Sequence, residues 1–175
     1  SERQPLQPRA LDLRAWLDSA RARLGGPGPE LELLIDPHGD DLTVSADPER
    51  LEEALGCLVE NARDAVGPAG ALRVRVDRRR VQLDPHEPAQ AFVRVAVEDD
   101  GGGMAPSVLA QACDPFFTTR GVTRVGLGLS LVRGFARQSG GILSLRSTEG
   151  EGTRASLLLP ARVAPEPELP GRPVD

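Results

Sequence analysis

Apolar residues recur along this chain at two spacings, every second residue or every third to fourth, and the switches between them mark out the elements. Alternation is clearest where Leu72, Val74 and Val76 interleave with Arg73, Arg75 and Asp77 over 71–79, and again in Phe92-Val93-Arg94-Val95-Ala96-Val97. Both stretches predict strands buried on one side, paired antiparallel and joined by a long connection from Arg80 to Gln90 that carries Pro85 and Pro88. Leu13, Trp16, Leu17, Ala20 and Leu24 instead follow helical spacing and stop at Gly25-Gly26-Pro27. A longer helix is announced by Asp47-Pro48, an N-capping acid followed by proline in the first turn. Its stripe is Leu51, Ala54, Leu55, Leu58, Ala62 and Ala65, and Gly67-Pro68 ends it. Leu31 to Ile35 and Leu42 to Ser45 read as strands joined by the turn Asp36 to Asp40. A short helix is expected from Pro106 to Gln111. Gly126-Leu127-Gly128-Leu129 opens a further helix through Leu131, Val132, Phe135 and Ala136, with 121–126 read as loop. Ile142 to Leu145 and Ala155 to Leu159 close the pattern as two strands joined through Glu149 to Thr153. Residues 1–10 read as an extended lead-in without an element of its own, and the four prolines within 163–175 read as a tail or linker.

Composition narrows what such a domain can do. At 175 residues the chain has room for one full core, but with four Phe, one Trp and no Tyr that core must be built of Leu, Val and Ala. The net charge of −5 argues against nonspecific nucleic-acid binding. All 21 cationic side chains are Arg, so phosphate contacts must come from guanidinium groups, backbone amides or a metal. Cys57 and Cys113 lack metal-ligand spacing and read as small core residues, and no apolar run approaches membrane-spanning length.

Four stretches carry candidate chemistry. The strand ending at Val97 delivers Glu98-Asp99-Asp100 to Gly101-Gly102-Gly103-Met104. Glycines let backbone approach a flat ligand, and an aspartate at a strand end can accept from an amino group, which suits a nucleobase. On the long helix, Cys57, Asn61 and Asp64 fall on a second stripe beside the buried face, with Glu60 nearly opposite the core. Asn61 therefore stands at the edge of the core, where its amide oxygen could reach a ligand or metal. Gly126 to Leu129, a glycine-rich loop running into a helix, is an anion site in pattern. Ahead of it, Asp114-Pro115-Phe116-Phe117-Thr118-Thr119-Arg120 places two anchoring rings before two hydroxyls and a guanidinium. His38, alone in its turn, and the arginines 73, 75, 78, 79 and 80 read as solvated surface.

Taken in their order along the chain, the motifs resemble the ATP-binding catalytic domain of bacterial sensor histidine kinases, within the superfamily that includes DNA gyrase, Hsp90 and MutL. The matching regions are the N box (Leu51 to Val66), G1 box (Asp99 to Met104), F box (Asp114 to Arg120) and G2 box (Gly126 to Leu129). The resemblance implies an α+β fold, a two-layer α/β sandwich (the Bergerat fold). It would have a mixed sheet of five or more strands, about three helices on one face, and an ATP lid. The implied ATP-binding residues are Asn61, Asp64, Asp99, Gly101, Gly103, Met104, Phe117, Thr118, Thr119, Arg120, Arg124, Gly126, Leu127, Gly128, Leu129 and Thr153. Among them Asp99 would read the adenine amino group, with Gly103 and Thr153 nearby, and Asn61 would ligate Mg²⁺. The G2 glycines would receive the phosphates, and Arg120 or Arg124 would add positive charge. No catalytic acid or base is singled out.

Two departures qualify the resemblance. Cys57 stands where gyrase-like and Hsp90-like ATPases carry a water-activating glutamate and many histidine kinases an asparagine, so hydrolysis by that route is not expected. The lid, 121–125, is short, and Arg124 falls where a first G2 glycine is common, which predicts weak or fast-exchanging ATP. By the same resemblance, 1–9 would be a linker from a dimerisation and phosphoacceptor hairpin, 10–160 the catalytic domain and 161–175 a proline-rich tail. The expected activity is that of a protein histidine kinase whose acceptor histidine lies elsewhere. Its expected partners are that hairpin and a response regulator, with no nucleic acid and no direct membrane contact. The isolated domain would be monomeric and its location the bacterial cytoplasm, whether or not the parent is membrane-attached. Alternatives are a nucleotide-binding pseudo-kinase or regulatory module, and an anti-sigma-factor-like serine kinase.

Overall fold

The computed structural model describes residues 5–112 and 124–162, the first four of the second span by their backbone alone. Its elements are β1 (Arg9–Asp12), α1 (Leu13–Leu24), β2 (Leu31–Ile35), β3 (Thr43–Ala46), α2 (Pro48–Val66), β4 (Leu72–Val81), β5 (Gln90–Asp99), α3 (Pro106–Gln111), α4 (Arg124–Gln138), β6 (Ile142–Thr148) and β7 (Gly152–Pro160). Five strands form one mixed sheet in the order β2-β4-β5-β7-β6, parallel only between β2 and β4. Strands β1 and β3 make a separate antiparallel pair, tied to the end of β7 by a bridge between Val44 and Ala161.

The helices start and stop for local reasons. Asp12 caps α1 by accepting the Arg14 N–H at 3.0 Å. Asp47, itself buried, caps α2 by accepting from Glu49 and Arg50 at 3.1 and 3.3 Å, and its other oxygen takes the Gln7 N–H at 2.9 Å. Leu13, Leu17, Ala20 and Leu24 of α1, Leu51, Leu55, Leu58 and Ala62 of α2, and Val132, Phe135 and Ala136 of α4 are buried in the core cluster.

Register shows how the sheet meets those helices. The row Val76–Val95–Leu157–Leu143 and the next, Val74–Val97–Ala155–Leu145, bring apolar side chains into that same cluster. The opposite face carries guanidinium and carboxylate groups. Glu98 accepts from Arg75 at 2.7 Å and Arg154 at 3.0 Å, while Arg94 grips Asp77 through two hydrogen bonds of 2.9 and 2.6 Å. Burial alone would push both carboxyls up, but these bonds outweigh it and hold Glu98 and Asp77 below the ordinary carboxylate range. Phe92, Ala96 and Leu158, on this charged side, are buried yet outside the core cluster. Long arginine stems beside them can cover apolar surface while their heads stay in water.

Two expectations need correcting. The lead-in contributes β1, because Leu11 is buried and Arg9 to Asp12 pair with Ala46 to Thr43. Helix α4 begins at Arg124, so 124–126, read as loop, lie in its first turn. No helix among the described residues is long and apolar enough to cross a membrane.

Candidate functional site

The row of the sheet beyond Val74–Val97–Ala155–Leu145 is Leu72–Asp99–Thr153–Ser147. By strand alternation these residues point to the helix side, but three of the four are polar, so the core gives way to a polar floor at this end. Above it runs α2, and between them lies a cavity of about 260 Å³ lined by Asn61, Val97, Asp99, Gly103, Met104, Leu129 and Thr153, among others. Sequence candidates from four separate elements thus meet in one apolar-walled cleft with few polar groups, the usual build of a small-molecule site.

The glycine turn is pinned on two sides. A Cβ on Gly101 would stand 2.6 Å from the Ala65 carbonyl oxygen at the end of α2. Gly103 has φ of +66°, and a Cβ there would overlap the Thr148 carbonyl oxygen. Both therefore require glycine, one for close approach and one for backbone conformation as well. Gly150 donates its N–H to the Gly102 carbonyl at 2.7 Å, and Met104 donates to the Ser147 hydroxyl oxygen at 2.7 Å. The β6–β7 hairpin thus holds the turn that follows Asp99.

Asp99 is half-buried. Burial pushes its carboxyl pKa up, and the neighbouring Asp100 charge adds to this. Hydrogen bonds from the Gly101 N–H, at 2.9 Å, and the Thr153 N–H oppose it, and the net displacement is upward. A partly desolvated carboxylate at the end of a cleft is a strong acceptor for an amino group. Asn61, half-buried on α2, supplies the cavity's amide. Cys57, one turn earlier, is half-buried too, and a Cβ on Gly128 would stand 3.7 Å from its Cβ, so α2 and α4 approach closely there. Burial, then the charges of Glu60 and Glu53, push the Cys57 thiol pKa up, which disfavours the thiolate.

Other expected residues are placed less centrally. Gly101 reaches the site through its N–H. Asp64 is exposed and does not line the cavity, although it follows Asn61 on the same stripe of α2. Gly128 faces Cys57, with Leu129 in the cavity wall. Cys113, Phe117, Thr118, Thr119 and Arg120 lie outside the described residues, as do the side chains of Arg124 and Leu127; Gly126 is placed by its backbone in the first turn of α4. Sequence reasoning missed Ser147. A hairpin centred on Gly150 makes 147 and 153 cross-strand partners, and that symmetry was the available signal.

Among the described residues no three His, Cys, Asp or Glu side chains converge as a metal site. An ion at Asn61 would take its remaining oxygens from phosphate and water, a donor set that suits Mg²⁺.

Residues 46–163 match the family described as histidine kinase-, DNA gyrase B- and HSP90-like ATPase. The chain is similar to the sensor kinase CckA of Brucella abortus (strain 2308), 38% identical over 169 residues that cover 91% of this chain and 18% of the relative. It is 34% identical to the sensor histidine kinase ZraS of Escherichia coli O157:H7, over 77% of this chain and 27% of that protein. It therefore spans about a fifth to a quarter of these relatives' length. Among solved structures, the mycobacterial sensor histidine kinase MprB superposes with a TM-score of 0.64 at 24% identity, covering 89% of this chain and 99% of that one. Full-length ShkA in complex with AMPPNP superposes with a TM-score of 0.70 at 22% identity, covering 94% of this chain and 33% of that one. Both share the α+β fold described above.

Proposed function

The chain belongs to the histidine kinase-, DNA gyrase B- and HSP90-like ATPase family, as an ATP-binding catalytic domain of the sensor histidine kinase type, and on that premise we propose that it presents the γ-phosphate of ATP to a histidine on a separate domain. From there the phosphoryl group would pass to an aspartate of a response regulator. What supports this reading most is the polar row under α2: Asp99 and Thr153 close an otherwise apolar cleft, with Asn61 above them.

In this account Asp99 accepts from the adenine amino group, while Val97, Met104 and Leu129 pack against the base. The cleft excludes water from the Asp99 hydrogen bond, which strengthens it. The first-turn amides of α4, without partners inside the helix, face the phosphates, and Gly126 keeps that approach free of a side chain, while Gly128 lets α4 close against Cys57 of α2. Asn61 holds Mg²⁺, which neutralises phosphate charge when bound. The protein's contribution is orientation and charge placement. Cys57 offers no general base beside Asn61, consistent with delivery of phosphate to a protein acceptor rather than to water. The remaining parts of the proposal are a cytoplasmic location, a monomeric isolated domain, and a dimerisation hairpin in the parent.

The test is phosphorylation of the parent's histidine hairpin, supplied separately, by this chain and labelled ATP. Acid-labile label on the hairpin is expected. Acid-stable label on serine would point to an anti-sigma-factor-like kinase, and no transfer despite nucleotide binding would point to a regulatory pseudo-kinase.

A further inference from the structure

We propose that Ser147 sets the base preference of this site by accepting the Thr153 hydroxyl proton, so that the closed end of the cleft offers only hydrogen-bond acceptors and selects a 6-amino over a 6-oxo purine. The inference rests on the nucleotide reading above and assigns a positioning role to a residue that does not itself line the cavity.

Three groups surround the Ser147 hydroxyl. The Met104 N–H donates to it at 2.7 Å, the Gly152 carbonyl oxygen lies at 3.1 Å, and Thr153 Oγ1 lies at 2.8 Å. A serine hydroxyl has one proton and two lone pairs. The carbonyl can only accept, so satisfying all three contacts sends the serine proton to Gly152, one lone pair to Met104 and the other to the Thr153 O–H. The reverse polarity, Ser147 donating to Thr153, loses the bond to Gly152 and leaves one hydrogen bond fewer in a part-buried cluster. That is the costlier arrangement.

The consequence falls on Thr153, which lines the cavity beside Asp99. Its only proton is held in the wall, and Oγ1 turns lone pairs to the ligand. Asp99 as a carboxylate also only accepts. An exocyclic amino group meets two acceptors, whereas a carbonyl oxygen in its place meets lone pairs with no proton between them. Without the Ser147 hydroxyl, Thr153 can rotate and donate, and the penalty on a carbonyl is relieved.

The experiment is calorimetric titration of the 175-residue chain with ADP and with inosine 5′-diphosphate, neither of which can donate a γ-phosphate. The wild type is expected to prefer ADP. Ser147→Ala should narrow that preference by about tenfold, the worth of one hydrogen bond, chiefly through tighter inosine diphosphate. Ser147→Thr, which keeps the hydroxyl, should restore the wild-type ratio. A purely structural role would weaken both nucleotides alike, and an unchanged ratio in folded Ser147→Ala overturns the inference while leaving the nucleotide site standing. If Ser147→Ala does not fold, Thr153→Val decides. ADP should weaken and inosine diphosphate should not, and a weakened inosine diphosphate would show that Thr153 donates. Binding of neither nucleotide by the wild type removes the nucleotide reading, and this inference with it.

Discussion

Replacing Asp99 by asparagine separates what the site does for the ligand from what it costs the fold. The carboxyl has a pKa above its ordinary value, first because of burial, so the unfolded chain releases this proton more readily than the folded one. Its contribution to stability is therefore greatest below the ordinary carboxylate pKa. It declines as pH rises from there through the raised folded value, so at neutral pH the charge is carried at a cost. Asp99→Asn keeps the shape and one oxygen for the Gly101 N–H now bonded at 2.9 Å. The variant should melt at or above the wild-type temperature at pH 7, with the difference closing in acid. Nucleotide affinity should move the other way. Losing a charged acceptor for the base amino group is worth about 1.5–3 kcal/mol, or about 10- to 150-fold in Kd. Calorimetry with ADP and thermal melts at two pH values read both effects. Undiminished affinity in a folded variant would refute the assignment of Asp99 to the base, and a large drop in melting temperature would refute the electrostatic argument.

Gly103→Ala places a Cβ into the Thr148 carbonyl oxygen at a left-handed φ. A cost of about 1–2 kcal/mol from the conformation alone, with loss of nucleotide affinity as the turn leaves the hairpin, should show in melts and titration; unchanged values in both would contradict the pinned-turn picture. Asp47→Ala removes the acceptor of the Gln7, Glu49 and Arg50 N–H groups and should cost about 1–2 kcal/mol in urea melts near neutrality. The Gln7 hydrogen bond is the largest influence holding the Asp47 pKa below its ordinary value. Its stabilisation is thus complete above the ordinary carboxylate pKa and lost as pH falls through the lowered folded one, so wild type and variant should converge in strong acid. ATP turnover by the isolated chain should stay at background, because Cys57 stands where a water-activating carboxylate would be needed. Sustained phosphate release that co-purifies with the chain would contradict this.

Strand β4 was legible because one face meets the core and the other carries arginines toward solvent, which writes the alternation of Leu72 to Asp77 into the sequence. Strand β5 was legible as an apolar run, and it is buried on both faces at Phe92, Val93, Val95, Ala96 and Val97 rather than on one. Helix α2 was legible for the same reason as β4, with its stripe and its Asp47-Pro48 start. Strand β1 was not, because Leu11 is its only buried residue and a single apolar position has no period. The start of α4 was displaced because glycine reads as loop, although the amides of a first helical turn have no intrahelical partner to lose. In the site, Asp99 and Asn61 stood out by their position against local pattern. Ser147 did not, because its role depends on register across the β6–β7 hairpin and on contact with a turn at Met104, both set by tertiary pairing.

The central claim is that this cleft holds ATP through Asp99 and Asn61. Calorimetric titration of the chain with a non-hydrolysable ATP analogue, with and without Mg²⁺, tests it most directly. Saturable binding at one site, tightened by Mg²⁺, is the predicted result. Absence of binding at millimolar nucleotide in either condition would contradict it.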